Sequence, residues 1–190
     1  MISSLYKIFQ HWSEKGAVWI ISDPHFGDAD CCLMDPEWPT PTEYIKEINK
    51  QIGRNDTLIC LGDVGDPNYF KYIRAGYKVL IMGNHDAGRT KYEPYFNEVY
   101  EGPLMISPKI MLSHEPILSD YWCNIHGHVH DGVPYNLTEK SIIGINLAPN
   151  VWGYSNPFNL GSYIKHGGIS KIDDIHRQTI NEASMRKEKV

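Results

Sequence analysis

Three of the chain's nine histidines fall within five residues, in the segment 123–132 with the sequence CNIHGHVHDG. Alternate side chains of an extended segment point the same way, so His128 and His130 can converge on one metal ion. A surface strand that merely tolerates imidazole groups would have the same sequence. This segment alone therefore leaves a metal site and a surface strand equally open.

Polar clusters of the same kind follow four other short apolar runs. They are Asp23 with His25, Gly62 with Asp63, Gly83-Asn84-His85-Asp86, and Ser113 with His114. None of them contains cysteine, and oxygen plus imidazole ligands suit Mn, Fe, Zn, Ni or Co better than Mg or Ca. Any one cluster can be explained as a turn cap or a buried histidine. Five clusters in the same context indicate that they form a single metal site.

Short strands must position these clusters. Runs rich in Ile, Val and Leu that do not alternate cleanly with polar residues are typical of strands buried on both faces. Such runs cover residues 17–22, 56–62, 77–83, 109–113, 121–127 and 141–148. Function in α/β sheets collects at the carboxyl ends of strands, which is where the clusters lie. Gly62, Gly83 and Gly127 would let each strand stop abruptly and let the backbone approach the ion closely.

Helical patterns separate the early strands. Residues 41–53 place Tyr44, Ile45 and Ile48 on one side, and residues 67–76 begin with proline and end with glycine. The N-terminal segment is predicted to form an amphipathic helix, and the order β-α-β-α-β follows it. Strands dominate after about residue 98, and a polar surface helix with a frayed tail at 183–190 is predicted to end the chain.

Composition limits the class of protein. The chain has 190 residues, the length of one domain, and 42% hydrophobic residues, enough for a sizeable core. Its formal net charge of −5 disfavours nonspecific binding to nucleic acid or an anionic membrane, and no apolar run is long enough to span a bilayer. The four cysteines form no C-x-x-C pair and the N-terminus is a poor signal peptide, so we expect free thiols in a cytoplasmic protein.

The order D-x-H, GD, GNHD, H and GHxH over residues 23–130 resembles the signature of the calcineurin-like metallophosphoesterase superfamily. The segment 145–158, INLAPNVWGYSNPF, also resembles a strand and turn of its small bacterial and phage members. The resemblance implies an α/β (α+β) fold, a four-layer sandwich of two mixed β-sheets flanked by helices. It further implies a single domain over residues 1–190 without a cap domain.

The resemblance also implies two divalent transition-metal ions, with manganese expected first and Fe, Zn, Ni or Co as alternatives. One ion would be held by Asp23, His25 and His130, the second by Asn84, His114 and His128, and Asp63 would bridge the two. The catalytic residues implied are His85, as general acid or charge stabiliser at the phosphate, and Asp86, which would orient the His85 ring.

The other polar residues near the motifs have no ligand role in the resemblance. We expect these acids to lie outside the metal shell: Asp28, Asp66, Glu115 and Asp131. For His126, a packing role is favoured over a contact with the metal ligands.

The implied activity is hydrolysis of a phosphoester by in-line attack of a hydroxide that bridges the two metals. Compared with the Ser/Thr protein phosphatases of the superfamily, the stretches GDVGDPN and IMGNHDAG lack two phosphate-gripping arginines. A small phosphodiester, with its single charge, is therefore favoured over a phosphomonoester. Two alternatives stay open: a non-catalytic protein-binding scaffold on the same fold, and a nuclease for short nucleic acids. Nucleic acid is expected only as a substrate, and no membrane partner is expected.

Overall fold

The computed structural model describes residues 6–139 and 141–170 of the chain. Within them, the strands in chain order are β1 (Val18–Ile21), β2 (Thr57–Cys60), β3 (Tyr77–Ile81), β4 (Glu98–Tyr100), β5 (Leu104–Ser107), β6 (Ile110–Leu112), β7 (Cys123–His126), β8 (Tyr135–Leu137), β9 (Ile142–Asn146) and β10 (Phe158–Asn159). The α-helices are α1 (Lys7–Trp12), α2 (Ala29–Met34), α3 (Pro41–Ile48), α4 (Pro149–Trp152) and α5 (Leu160–Lys165), and 3-10 helices cover Pro67–Tyr72 and Arg89–Lys91. The predicted C-terminal helix and the tail at 183–190 lie outside the described residues. The assignment of the whole chain to one domain without a cap stays a prediction.

The first sheet has the strand order β10-β1-β2-β3-β4. Strands β1 to β4 run parallel, and β10 pairs antiparallel with β1. Ile21 of β1 pairs with Cys60 of β2, and Cys60 pairs with Leu80 of β3, so the three strands end at nearly the same level. The turns that follow them therefore leave the sheet side by side.

The second sheet has the strand order β5-β6-β7-β9-β8. Strands β6, β7 and β9 are parallel, and the edge strands β5 and β8 are antiparallel to their neighbours. Leu112 at the end of β6 pairs with Ile125 of β7, so the turns after these two strands also leave together.

The two sheets share one apolar core. Buried side chains of both sheets belong to a single cluster, which includes Ile20, Ile59, Val79, Ile81, Ile110, Leu112, Ile125 and Ile145. The opposite face of the first sheet packs against α3 in a second cluster. Strands β2 and β7 are buried at every residue, which explains why their sequences do not alternate. The predicted architecture of two mixed β-sheets with flanking helices is confirmed.

Helix α3 forms where it was predicted, because its sequence supplies both a start signal and an apolar face. The side chains of Thr40 and Glu43 form a capping box at its first turn. The three apolar residues predicted to share one side are buried against the first sheet. The helix ends at Ile48, earlier than the glycine that the sequence indicated.

Two elements differ from the sequence prediction. The segment predicted as a helix over 67–76 is a 3-10 helix over Pro67–Tyr72, after which the backbone of Ile73 is extended. Helix α2, with the sequence ADCCLM, has no apolar period and begins where the Asp28 side chain accepts the N–H of Asp30.

None of the helices in the two described ranges has the length and apolar character that crossing a membrane requires.

Candidate metal centre

The turns after β1, β2, β3, β6 and β7 carry every side chain that the sequence predicted as a metal ligand. They also carry most of the strained backbone of the described residues. Four of the five non-glycine residues with positive φ are Asp23 (48°), His25 (42°), Asp63 (49°) and His128 (66°). Such conformations are uncommon for residues with a side chain, and they cluster at functional sites.

The first donor group consists of Asp23, His25 and His130. Each residue offers one ligand atom, and these atoms lie within 4.8 Å of one another. The His130 Nε2 atom is 3.8 Å from Asp23 Oδ1. Because bonds from a transition metal to nitrogen or oxygen are about 2.0–2.2 Å long, two ligands of one ion stand up to about 4 Å apart. The first donor group is therefore compact enough to hold one ion.

The second donor group consists of Asn84, His114 and His128. The His114 Nε2 atom is 2.8 Å from Asn84 Oδ1 and 3.1 Å from His128 Nδ1. These residues follow β3, β6 and β7, so both sheets contribute to the group. Its geometry therefore depends on the packing of one sheet against the other.

Asp63 lies between the two donor groups. Its Oδ2 atom is 3.5 Å from His25 Nε2 and 3.4 Å from His114 Nε2. Its Oδ1 atom accepts a hydrogen bond from the backbone N–H of His85 at 3.1 Å. One carboxylate oxygen thus faces an imidazole of each donor group, which is the position that a ligand shared by two ions would occupy.

The hydrogen bonds around His114 test whether a cation fits these groups. The Leu61 carbonyl accepts a hydrogen bond from His114 Nδ1 at 2.8 Å, so in a neutral ring the Nε2 atom carries a lone pair. That lone pair faces oxygen atoms of Asn84 and Asp63. Electron pairs that converge in this way are stabilised by a cation among them. Oxygen and imidazole donors without thiolate fit divalent transition metals.

The Asp23 carboxylate is fully buried. Its oxygen atoms accept hydrogen bonds from the Ser22 hydroxyl and, at 3.1 Å, from the backbone N–H of His128. Burial raises the pKa of Asp23 from 3.8 to about 7, although the nearby His114 imidazole acts in the opposite direction. A bound cation would favour the ionised carboxylate, so the environment of Asp23 fits a metal ligand.

All three glycines meet the predicted need for close backbone approach, and a Cβ atom on Gly83 would lie 2.3 Å from Asp63 Oδ1. A Cβ atom on Gly127 would lie 2.0 Å from Asp23 Oδ2 and 1.8 Å from Ser22 Oγ. Gly62 has a φ of +85°, and a Cβ atom there would lie 2.5 Å from the backbone nitrogen of Gly83. A side chain at any of these positions would push apart the turns that carry the donor groups.

The sequence model for calcineurin-like phosphoesterases matches residues 16–188. The chain belongs to this family. Family membership indicates a hydrolase that acts on phosphoesters, and the family typically binds divalent metals. The two donor groups are the candidate ligands for metal in this calcineurin-like phosphoesterase.

Individual relatives are distant. The Gene 66 protein of Mycobacterium phage D29 is 25% identical, and the match covers 61% of this chain and 79% of that protein. The structure of AQ665 from Aquifex aeolicus, a protein of unknown function, has a TM-score of 0.61 and 23% identity, and the match covers 79% of this chain and 98% of that one. The nuclease MPE of Pseudomonas putida has a TM-score of 0.46 and 20% identity, covering 68% and 74%. The likeness to AQ665 shows a shared fold.

A cavity of about 400 Å³ opens over the donor groups of the phosphoesterase, and its lining includes His25, Asp63, His128 and His130. His85 also lines this cavity, and its ring centroid is 5.9 Å from that of His25. The His85 side chain therefore faces the space from which a substrate would reach the donor groups.

The Asp86 carboxylate binds backbone N–H groups, whereas the sequence predicted that it orients the His85 ring. It accepts backbone N–H groups from Asp63 at 3.0 Å, Val64 at 2.9 Å and Gly83 at 2.8 Å. Among the described contacts, no hydrogen bond joins Asp86 to the His85 ring, so the predicted orientation of that ring has no contact to support it. Asp86 instead ties the turn after β2 to the turn after β3. The sequence did not indicate this role, because it depends on backbone groups that every residue carries.

Polar side chains that are not themselves predicted ligands contact the imidazoles of the first donor group. The Asp28 Oδ2 atom is 3.3 Å from His25 Nδ1. The Asn150 Oδ1 atom accepts a hydrogen bond from His130 Nδ1 at 2.8 Å, and Asn150 Nδ2 donates to the His130 carbonyl at 2.6 Å. Such partners fix the ring orientation and determine which nitrogen faces a metal. Asn150 lies in the segment 145–158 that carries the resemblance, but nothing in the sequence pairs it with His130.

Trp38 packs against both imidazoles of the first donor group. Its ring centroid is 6.0 Å from that of His25, in an edge-on contact, and 5.8 Å from that of His130. The ring centroid of Tyr154 is 5.3 Å from that of Trp38, and the Tyr154 hydroxyl donates a hydrogen bond to Asp35. A tryptophan in a loop gives no sequence signal of such a role, so Trp38 was missed.

The other polar residues singled out in the sequence lie outside the donor groups. Asp66 caps the first 3-10 helix by accepting the N–H of Asn68 at 3.0 Å. Glu115 and Asp131 line neighbouring cavities. His126 is buried, its Nδ1 atom donates to the Gly127 carbonyl at 2.9 Å, and no ligand cluster found in the described residues contains it.

The cysteines are all free thiols, as predicted. Cys31 lies within reach of His25 and Asp28, in a third group of residues that could hold a metal. Burial raises the pKa of the Cys31 thiol to about 12. This third group shares His25 with the first donor group and lies outside the ligand set that the sequence predicts.

Proposed function

We propose that this calcineurin-like phosphoesterase hydrolyses a phosphodiester with the help of two divalent cations. The observation that carries the proposal is the position of Asp63, whose Oδ2 atom lies 3.5 Å from an imidazole of the first donor group and 3.4 Å from one of the second. A carboxylate placed between the two donor groups can contact both ions of a two-metal centre.

The proposed ligands are those expected from the sequence. One ion would be held by Asp23, His25 and His130, the other by Asn84, His114 and His128, and Asp63 would contact both. Manganese is the first candidate, with Fe, Zn, Ni or Co as alternatives. When bound, two such ions lower the pKa of a water molecule and neutralise charge on the phosphoryl oxygens.

We propose His85 as the group that gives a proton to the leaving oxygen. Its side chain lines the cavity over the donor groups, while its backbone N–H is held by Asp63 at 3.1 Å. A protonated imidazole there can donate its proton to the ester oxygen as the phosphorus–oxygen bond breaks. General acid catalysis of this kind is typically worth about 10²–10⁴-fold in rate.

The charges around the cavity favour a diester. Apart from histidine, its charged lining residues in the described part of the chain are Asp28, Asp30 and Asp63, and no lysine or arginine lines it. A phosphodiester brings one negative charge to the site and a phosphomonoester brings two. Without a basic side chain to balance the second charge, the diester is the better substrate.

The test combines metal counting with turnover. We expect the purified protein to bind two manganese ions per chain by mass spectrometry of dialysed samples, and to hydrolyse bis(p-nitrophenyl) phosphate. A chelator should abolish turnover. His85→Ala should lower kcat about 10²–10⁴-fold for a diester whose leaving group is an alcohol, and much less for bis(p-nitrophenyl) phosphate, whose leaving group needs no proton, while two ions remain bound. One ion or none per chain would overturn the two-metal proposal.

Two ions without turnover would instead favour the protein-binding scaffold. Cleavage of single-stranded oligonucleotides in preference to small diesters, weakening as salt rises, would favour the nuclease. We further propose a cytoplasmic location, since all four cysteines are free thiols and such thiols persist in a reducing compartment.

A further inference from the structure

Two cavities meet beside the candidate metal centre. The first, of about 400 Å³, is the one lined by His85. The second, of about 570 Å³, is lined by Val129 and Asn150 and does not include His85. Met34, His128 and His130 line both cavities. A molecule whose phosphate lies at the donor groups can therefore extend to either side of this shared boundary.

Met34 is the apolar part of the shared boundary. It is the last residue of α2, and half of its surface is exposed. The helix is fixed at its start by the Asp28 cap and on its inner side by buried Cys31. A flexible thioether on a fixed helix packs well against aromatic rings of varied shape. With Val129, Met34 gives the larger cavity two apolar contacts next to the metal ligands.

The charged groups around the two cavities have one sign. Among the residues that the structure describes, the charged ones that line the two cavities, apart from histidine, are Asp28, Asp30, Asp63 and Asp131, with no lysine or arginine. Asp131 belongs to the larger cavity. A second phosphate placed there would meet this carboxylate and no lysine or arginine of the described residues, whereas a neutral group would meet no such repulsion.

We propose that the larger cavity is a subsite for the retained arm of the phosphodiester, and that this arm is an uncharged aromatic group such as an aryl ring or a nucleobase. The inference rests on the proposed function and adds the class of substrate. His85, the proposed proton donor to the leaving oxygen, lines only the smaller cavity, so the leaving group departs on that side. The arm that stays on phosphorus then lies between Met34 and Val129.

The test compares two substrates with the same leaving group and charge, bis(p-nitrophenyl) phosphate and methyl p-nitrophenyl phosphate. Met34→Ala should lower the ratio of their kcat/KM values, aryl over methyl, by about two- to tenfold relative to the unchanged protein. The comparison of ratios cancels the intrinsic reactivity of the substrates. Leu33→Ala is the matched control, since Leu33 is 82% exposed on the same helix and lines neither cavity. It should leave the ratio unchanged.

A second pair of substrates tests the charge. Thymidine 5′-(p-nitrophenyl phosphate) should be hydrolysed with a higher kcat/KM than the same compound carrying a 3′-phosphate. Asp131→Asn should reduce that preference, because it removes the carboxylate of the larger cavity. Equal or better hydrolysis of the 3′-phosphorylated compound by the unchanged protein would overturn the proposed preference for an uncharged arm.

The two proposals fail in different ways. Hydrolysis of both p-nitrophenyl diesters with a ratio that Met34→Ala does not change would overturn the subsite and leave the phosphodiesterase standing. No hydrolysis of either diester by protein with two bound ions would overturn the proposed function and the subsite with it. Melting curves of the Met34→Ala and Leu33→Ala proteins establish that both are folded.

Discussion

The two donor groups of the candidate metal centre are held in different ways. The imidazoles of the first group contact the side chains of Asp28, Trp38 and Asn150, which are not ligands themselves. The second group is held through the backbone, because His114 donates to the Leu61 carbonyl and Asp86 binds backbone N–H groups of two turns. Substitutions should therefore be able to weaken the first group alone. The second group should change only when the turns themselves move.

The largest effect is expected at Asp63, which lies between the two groups. Asp63→Asn keeps the size of the side chain, and asparagine also tolerates the positive φ at this position. The substitution removes the negative charge that the two ions would share. We expect one of the two ions to be lost and kcat/KM to fall at least about 100-fold. Titration calorimetry with manganese measures the stoichiometry. Two ions still bound at unchanged affinity would show that the groups do not share this ligand.

Asp86→Asn should have the next largest effect, through the turns. An asparagine cannot accept all three backbone N–H groups, so we expect about 2–3 kcal/mol less stability and about 10–100-fold weaker metal binding. Urea denaturation and metal titration measure the two quantities. Asp66→Asn is the matched control, because that carboxylate accepts the Asn68 N–H at the start of a 3-10 helix outside the donor groups. Equal losses in both variants would argue against a special role for Asp86.

A smaller and more selective effect is expected at Trp38. Trp38→Leu removes the ring that packs on His25 and His130, so the affinity for one ion should fall about tenfold while the other stays unchanged. Cobalt should quench tryptophan emission less in this variant than in the unchanged protein.

The control for the Trp38 experiment is Trp19→Phe. The Trp19 indole donates to Asp56 Oδ2 at 3.2 Å and touches neither donor group in the described contacts. If Trp38→Leu weakened both ions equally, the selective support of the first group would be contradicted.

The smallest expected effect is on stability, and it concerns the pH dependence of unfolding in the metal-free protein. The pKa of Asp23 is raised from 3.8 to about 7 by burial, so the folded state keeps a proton that the unfolded chain releases. Stability should therefore fall as pH rises between these two values, by up to about 1.4 kcal/mol per pH unit from this group. Melting temperatures at pH 5 and pH 7.5 measure the slope. Asp23→Asn should flatten it, and manganese should raise the melting temperature more at pH 7.5.

Much of the fold could be predicted from the sequence, because strands buried on both faces have continuous apolar sequences. Strands β2 and β7 are buried at every residue and read as continuous apolar runs. Asp and His residues directly after such runs are unusual enough to be noticed. The structure brings the predicted ligands together as donor groups, while their binding of metal stays a prediction.

The supporting contacts could not be predicted, because they depend on tertiary structure. Helix α2 has no apolar period, and its start depends on a single side-chain cap. Trp38, in a loop, and Asn150, in α4, meet the first donor group only after segments separated in sequence have packed. Asp86 acts on backbone N–H groups, which carry no residue-specific signal.

The left-handed backbone at Asp23, His25, Asp63 and His128 affects how the thermal stability of the protein can be raised by mutation. Each such residue costs the native state about 1–3 kcal/mol, a strain that glycine would relieve. Screens of metal-free variants for heat resistance would therefore enrich glycine or asparagine at these four sites. The selected variants would be more stable but would lack the side chains proposed to bind metal. Directed evolution of this protein needs a screen for metal retention alongside the screen for heat resistance.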